Sequence, residues 1–364
     1  MIYGKFGQLL KLIRNPAGEI ESERTSLLAH RLLNIGLFLL TLTALFFVKL
    51  KSVNPTIIGL TFLLIPQVYY IFSYANSDAW GIFIGVFLFL LVIKMLDKPV
   101  SEWSWIEICF LGFLTGMTIV SKLQFLVSLL LPYALISLRL FQELIQGKKV
   151  QLNLLFYRFI VWGTIILIIV APLKIIYPNT QVDYKAEKRQ MMEEKSANGY
   201  QPRFRKSLKS QGETYLDLIR NRPFLSWSLK SFYGVFGYFS DWNPPWIYFL
   251  AGILILASVI LTTIGAISNW KHIHDTLKLI LILSPLIILV NFFESMHYSL
   301  YNTFQPQGRY IFASLIPFSF LFLGNIFNER GRIRHLRLVI YAVLYLLCIY
   351  SIVFIILRSP TLHI

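Results

Sequence analysis

The chain alternates between long apolar runs and short polar connections over most of its length. Ten runs are candidates for membrane-spanning helices, since one crossing takes about 20 apolar residues. They are 32–48, 56–72, 79–96, 105–120, 123–138, 154–177, 246–268, 279–293, 310–324 and 338–357. Several are shorter than a full crossing, so we expect their ends to extend into flanking residues or to lie in locally thinned membrane. The pattern predicts an all-α, polytopic membrane helix bundle of about ten spans.

The runs divide the chain into four segments. Residues 1–31 form an amphipathic outer-face segment, residues 32–177 the first six spans, residues 178–245 a long extracytoplasmic loop, and residues 246–364 the last four spans. The first segment has no apolar core of a signal peptide. It predicts a surface helix, a break at "NPAG" and a second polar helix that enters the first span. Runs 105–120 and 123–138 are joined by little more than "SK" and form either a tight hairpin or one long kinked segment. The hairpin is favoured because the combined length exceeds one crossing.

The long loop contains two stretches with helical character. The stretch "YKAEKRQMMEEKSA" has charges of both signs at helical spacing and predicts a solvated helix. The stretch "GETYLDLIRNRPFLSWSLKSFYGVFGYF" is aromatic-rich, and its tryptophan and tyrosines suit the headgroup layer. It is followed by "DWNPPW", which predicts a turn into the next span.

Composition supports a membrane protein and narrows its chemistry. Hydrophobic residues make up 56% and charged residues 14% of the chain, with a mean hydropathy of +0.63, whereas soluble domains have about 25% charged residues. Cys109 and Cys348 lie in apolar runs and provide neither a disulfide framework nor metal-ligand spacing. No phosphate-binding glycine loop, HExxH or GxSxG pattern occurs, which argues against ATP-driven work and zinc chemistry.

The net charge of +16 is explained by membrane charge bias rather than by nucleic-acid binding. Basic connections alternate with connections almost free of lysine and arginine, so the basic set is predicted to face the cytoplasm. The connections that are poor in lysine and arginine are then outside, together with both termini and the long loop. The basic set comprises Lys49, Lys51, Lys94, Lys98, Arg139, Lys148, Lys149, Lys271, Lys278, Arg330, Arg332, Arg334 and Arg337.

Polar residues at the predicted outer face are the candidates for chemistry. Asp78 begins the third run, where it is either part of a helix cap with Asn76 or Ser77, or a carboxylate used as a base or cation ligand. Lys122 lies between runs 105–120 and 123–138. It either reaches the membrane interface as an ordinary anchor, or pairs with a phosphate.

Two further candidates flank the ninth run. Arg309, in "QGRY", is either an anchor or an anion ligand; a cation is unfavourable at a helix N-terminus, which favours an anion partner. Glu294 lies at the outer end of the eighth run with His297. His297 is predicted to be solvated at the rim of the membrane, whereas Glu294, as an acid near membrane depth, is expected to have a partner.

Several of these stretches together resemble a known superfamily. "SYANSDAW", "GFLTGMTIVSKLQFLVSLLLP", "SFYGVFGYF", "WNPPW" and "QGRYIFASLIPF" look like bacterial membrane proteins of the GT-C glycosyltransferase superfamily. Within it they are most similar to the uncharacterised family called domain of unknown function 2142. The resemblance extends from about Leu32 to the C-terminus.

The resemblance implies transfer of a sugar from a polyprenyl-phosphate-linked donor at the outer face of the bacterial cytoplasmic membrane. By position, Lys122 and Arg309 would contact the lipid phosphate, and Tyr310 would line the interface. Asp78 would match the Asn-Asp pair of the family at the start of a span. The implied partners are the sugar donor and membrane lipid, with no nucleic acid. No cofactor is specified, and a divalent cation near Asp78 is left open.

One departure from the family concerns the catalytic acid. GT-C proteins begin with a cytoplasmic N-terminus, a first span and a large outer loop that carries this acid, whereas this chain is expected to begin outside, as though cut within that loop. Glu19, Glu21 and Glu23 are the only acids there, and none matches. The resemblance therefore identifies no catalytic base, and Asp78 and Glu294, the acids at the predicted outer face, are the candidate catalytic carboxylates.

Two other functional classes remain open from the sequence. A carrier or flippase for an anionic lipid or sugar would need polar residues at mid-membrane depth, in which the runs are poor. A non-catalytic membrane protein would use the loop of residues 178–245 to bind a partner.

Overall fold

A computed structural model describes residues 19–74, 76–146, 152–176, 208–236, 240–301, 304–324 and 332–358. These residues form a predominantly helical protein with one two-residue strand pair. The α-helices are α1 (Glu19–Phe47), α2 (Thr56–Leu64), α3 (Pro66–Ser73), α4 (Asp78–Leu96), α5 (Trp105–Ile119), α6 (Leu130–Ile145), α7 (Leu152–Ile176), α8 (Tyr215–Arg220), α9 (Phe224–Gly234), α10 (Pro245–Ser268), α11 (Asp275–Tyr301), α12 (Leu315–Leu323) and α13 (Arg332–Arg358).

Every predicted run overlaps a helical segment, as expected of a multi-pass membrane protein. By length and apolar composition, seven helices in the described part of the chain are candidate spans, and the α2–α3 pair is an eighth if it counts as one span. The segments Trp105–Ile119 and Gly308–Leu323 are apolar but shorter. The structure therefore supports a polytopic bundle, while the count of ten depends on these three segments.

The second predicted run is sharply broken. Helices α2 and α3 meet at an angle of 87°. Between them, Ile65 has extended backbone angles, and Pro66 is the first residue of α3. Proline has no N–H to donate and its ring clashes with the preceding helical turn, which favours a break at Pro66, although α7 and α11 continue through Pro172 and Pro285.

Two other runs begin as 3-10 helices. Leu123–Leu129 precedes α6, and Gly308–Ser314 precedes α12. The two 3-10 helices contact each other, and both contact α4. Irregular backbone at membrane depth must be buried in protein or line a polar cavity, because lipid cannot satisfy its polar groups. These breaks therefore mark a specialised region beside α4.

The described part of the long loop is anchored to this region. The helix predicted over "GETYLDLIRNRPFLSWSLKSFYGVFGYF" consists of α8 and α9, and α9 ends at Gly234. Val235–Phe236 then pairs with Asp241–Trp242, where the sequence predicted only helix and turn. Gln67 of α3 accepts a hydrogen bond from the Val235 amide at 2.9 Å. The helix predicted over "YKAEKRQMMEEKSA" lies outside the described residues.

At the N-terminal end, α1 runs without interruption from Glu19 through the first apolar run. This agrees with the predicted polar helix that enters the first span. The surface helix and the break predicted before Glu19 lie outside the described residues.

The helix α5 packs most extensively against α7. Two glycines permit this approach: a Cβ at Gly112 would lie 2.9 Å from the Trp162 carbonyl oxygen, and one at Gly116 would lie 2.9 Å from the Ile169 Cδ1. Spacing of four residues places both glycines on one helix face, as in close-packed membrane helices.

The sequence pattern placed Arg337 in a solvated cytoplasmic connection. The structure corrects this prediction. Arg337 is fully buried, and its guanidinium donates to the Tyr341 hydroxyl at 2.9 Å and to the Thr262 hydroxyl at 2.8 Å. It also approaches the Phe322 carbonyl oxygen at the C-terminal end of α12, at 3.4 Å. A helix C-terminus attracts a cation, so this arginine has a structural role.

Candidate functional site

The site is built around the segment between α3 and α4. Asn34 of α1 is fully buried and donates to the Tyr74 carbonyl at 2.6 Å and to the Asn76 carbonyl at 3.1 Å. The Asn76 side-chain oxygen accepts a hydrogen bond from the Asp78 amide at 3.1 Å. Asn76, and not Asp78, therefore satisfies a backbone N–H at the start of α4.

The Asp78 carboxylate is enclosed by donors. It is fully buried, and its Oδ1 accepts hydrogen bonds from the Lys122 ammonium and, at 3.3 Å, from Gln124. Its Oδ2 accepts from the Asn76 amide nitrogen at 2.8 Å and lies 4.0 Å from the Arg309 Nε. Both oxygens are thus engaged, and the carboxylate lies beneath two cations.

Lys122 is placed at the start of a 3-10 helix and points to α4. Besides the ion pair with Asp78, its ammonium donates to the Asn76 Oδ1 at 3.2 Å. Its side chain is 39% exposed, whereas that of Asp78 is fully buried. The lysine is therefore more than a membrane anchor: it covers the carboxylate and remains accessible.

The position of Arg309 depends on the glycine before it. A Cβ at Gly308 would overlap the backbone N and Cα of Phe232 in α9. Ser231 fixes the same contact, since its hydroxyl accepts from the Gly308 amide at 2.5 Å and donates to the Pro306 carbonyl at 3.4 Å. The "QG" of "QGRY" thus docks onto the "SFYG" of α9 by close backbone approach.

From this position, Arg309 faces the segment between α3 and α4. Its Nη1 donates to the Tyr74 hydroxyl at 3.2 Å, and its guanidinium lies 5.4 Å from the centre of the Tyr310 ring. The Tyr310 hydroxyl donates to the Gln305 side-chain oxygen. Tyr310 therefore supports the arginine through its ring, and the 3-10 helix is held by Asn291 of α11, which donates to the Ile311 carbonyl at 2.7 Å.

The balance of donors and charges gives the site its chemical character. Lys122 and Arg309 carry two positive charges against the single negative charge of Asp78. The Asn76 Oδ1 and both Asp78 oxygens already accept hydrogen bonds. The Arg309 Nε, in contrast, has no hydrogen-bond partner among the described residues. A surplus of donors and of positive charge suits an anion.

A divalent cation does not fit this arrangement. Asp78 is its only carboxylate, and two cations already lie beside that carboxylate. No group of three or more histidine, cysteine or acidic side chains suitable for a metal occurs in the described part of the chain.

The other sequence candidates lie apart from these contacts. Glu294 is partly buried on α11 and makes no ion pair or hydrogen bond with the described residues. The exposed His297 ring is joined to helix α8, since its Nδ1 lies 2.7 Å from the Tyr215 hydroxyl, and it stacks on Tyr301 of its own helix. Glu21 of α1 is exposed, and the side chains of Glu19 and Glu23 lie outside the described residues.

Tyr74, Gln124, Ser231 and Gly308 are among the residues of the site that sequence reasoning did not single out. Each lies in a stretch that contains a predicted site residue or that carried the resemblance. Gly308 could have been noticed because it directly precedes Arg309. Nothing in the sequence indicated that the α9 backbone at Phe232 packs against it.

Comparison of the chain with family models, curated proteins and solved structures returns no match. The chemical reading of the site therefore depends on its geometry.

Proposed function

We propose that this chain is a membrane glycosyltransferase of the GT-C type. It moves a sugar from a polyprenyl-phosphate-linked donor to an acceptor at the outer face of the membrane. The observation that carries the proposal is the surplus of positive charge and hydrogen-bond donors formed by Lys122 and Arg309 over Asp78. The two cations bind the phosphate that links the lipid to the sugar.

The proposed reaction makes use of this surplus. The acceptor hydroxyl oxygen attacks the anomeric carbon of the sugar, and the bond from that carbon to the phosphate oxygen breaks. Negative charge grows on the departing lipid phosphate, and cations held in place before the reaction stabilise it. The proton of the acceptor hydroxyl passes to a carboxylate.

Because Asp78 is enclosed by donors, we do not propose it as the catalytic base. A buried carboxylate whose oxygens accept from Lys122, Asn76 and Gln124 is poorly placed to meet an acceptor hydroxyl. We assign it the positioning of the two cations. Glu294 is then the proposed base: it is a partly buried acid on α11, three residues after Asn291, which holds the 3-10 helix of Arg309.

Binding and transfer by the purified chain test the proposal. Lys122→Met and Arg309→Met are each expected to weaken binding of farnesyl phosphate by at least about tenfold, since each removes a charged donor. Lys278→Met, in the first turn of α11, where the lysine pairs with Asp275, is the matched control and should bind as the original chain does. Glu294→Gln should retain binding and lose sugar transfer. Equal binding of farnesyl phosphate and uncharged farnesol by the original chain would contradict the proposal.

A carrier for an anionic lipid is the second candidate, because interrupted spans are common in transporters. The spans also contain more buried polar side chains than the sequence suggested. Six of those hydroxyls, however, donate to the carbonyl four residues earlier in their own helix and so do not line a path. They are Thr41, Thr61, Thr115, Thr118, Ser284 and Ser319. Movement of a labelled lipid phosphate across vesicles containing only this chain would favour the carrier.

A further inference from the structure

The hydroxyl of Tyr74 has an unusual pair of neighbours. The Arg309 Nη1 lies 3.2 Å from it, and the Asn76 Nδ2 lies 2.7 Å from it. Neither nitrogen has a lone pair that can accept a hydrogen bond, because both belong to donor-only groups. The Tyr74 oxygen must therefore be the acceptor in both contacts.

The orientation of the Asn76 amide, on which this conclusion depends, is fixed by its surroundings. Its other side-chain atom faces the Asp78 amide and the Lys122 ammonium, which are both donors. That atom must be the oxygen. The nitrogen then faces the Asp78 carboxylate and the Tyr74 hydroxyl, and both can accept its hydrogens. A flipped amide would bring donor against donor at two contacts.

The proton of the Tyr74 hydroxyl is consequently not used by either neighbour. No acceptor for it is present among the described residues. The residue is held from both ends: its carbonyl accepts from Asn34, and its ring stacks on Tyr70 with centroids 4.5 Å apart. Burial raises the pKa of Tyr74 to about 12, so the hydroxyl keeps its proton at neutral pH.

We infer that the Tyr74 hydroxyl is a third, uncharged donor to the bound anion, beside Lys122 and Arg309. This inference depends on the proposed function, because it assigns a residue to the same phosphate. Arg309 and Asn76 orient the hydroxyl oxygen, and the proton is directed to an oxygen of the ligand. The site thus recognises its anion through two charged groups and one neutral group.

The first test is the binding of farnesyl phosphate to the full-length Tyr74→Phe variant in detergent. The change keeps the ring and removes only the hydroxyl. We expect binding about tenfold weaker, as for one hydrogen bond to a charged acceptor. Tyr69→Phe, which removes a hydroxyl that donates to the Leu63 carbonyl, is the matched control and should not change affinity.

A second measurement separates donation from mere support of Arg309. In the Arg309→Met background, a hydroxyl that donates directly to the ligand still contributes, so Tyr74→Phe should weaken binding again by a similar factor. A hydroxyl that only positions Arg309 would have no further effect there, and this result would overturn the inference. Unchanged binding by Tyr74→Phe alone would also overturn the inference. If Lys122→Met still weakened binding in that case, the proposed function would stand without the inference. If the original chain does not distinguish farnesyl phosphate from farnesol, both fail.

Discussion

Asp78 shows how a single residue can change role once its neighbours are known. A carboxylate at the first position of a helix is equally suitable as a cap, a base or an ion-pair partner from sequence alone. Here the cap is supplied by Asn76, and the carboxylate meets Lys122 and, at 4.0 Å, Arg309. Its burial beneath those cations makes it the negative charge that holds them together.

Asp78→Asn is therefore expected to destabilise the free protein by roughly 1–3 kcal/mol, because a buried charge partner is lost. A bound phosphate supplies a negative charge that replaces it. The rise in unfolding temperature on adding farnesyl phosphate should thus be larger for Asp78→Asn than for the original chain. Thermal unfolding with and without ligand measures this difference, and an equal rise in both proteins would argue against the positioning role.

At this scale, the residue types of the site could be predicted better than their contacts. Asp78, Lys122 and Arg309 are single charged residues beside apolar runs, a pattern that the sequence shows directly. Tyr74 and Gln124 could not be found in this way, because aromatic and amide side chains are common at membrane interfaces. Only their distances to Asp78 and Arg309 distinguish them.

Among the structural elements, the 3-10 helix Gly308–Ser314 determines where Arg309 lies. It docks on α9 through Gly308, where there is no space for a side chain. The sequence predicted an apolar run there but not its 3-10 conformation, since apolar composition does not distinguish the two helix types. The break at Pro66, in contrast, has a visible signal in the proline itself.

Gly308→Ala is expected to displace this element from α9 and so move Arg309 away from Tyr74. Binding of farnesyl phosphate should fall by at least about tenfold, by the loss of a charged donor. Gly252→Ala in α10 is the matched control, because a Cβ there meets nothing within 4 Å. Its binding should be unchanged. Similar affinities for both variants would show that the contact with Phe232 does not position the arginine.

For the whole molecule, the alternation of basic and non-basic connections predicts which surfaces face outside. All ten apolar runs overlap helical segments, so this part of the fold followed from the sequence. The number of crossings did not, because the α2–α3 pair is bent by 87° and two other segments are short. Each of these three segments, if it does not cross the membrane, reverses the predicted side of every connection that follows it.

Thiol labelling in intact cells measures this parity. In a chain with Cys109 and Cys348 replaced by alanine, single cysteines at Ser77 and Ser121 are expected to react with a membrane-impermeant reagent. A cysteine at Lys51 or Lys271 is expected to react only after the membrane is opened. If Lys51→Cys and Ser77→Cys react alike in intact cells, α2 and α3 together do not cross the membrane.

The 3-10 helix before α12 also affects the reach of its segment. A 3-10 helix rises about 2.0 Å per residue and an α-helix about 1.5 Å. Its seven residues therefore extend the segment by about 3.5 Å beyond a regular α-helix of the same length. Arg309 lies six residues before the start of α12 at Leu315, so rewinding would draw it inward by about 3 Å, the length of a hydrogen bond. The depth at which Arg309 would meet the proposed lipid phosphate thus depends on the pitch of one helical segment.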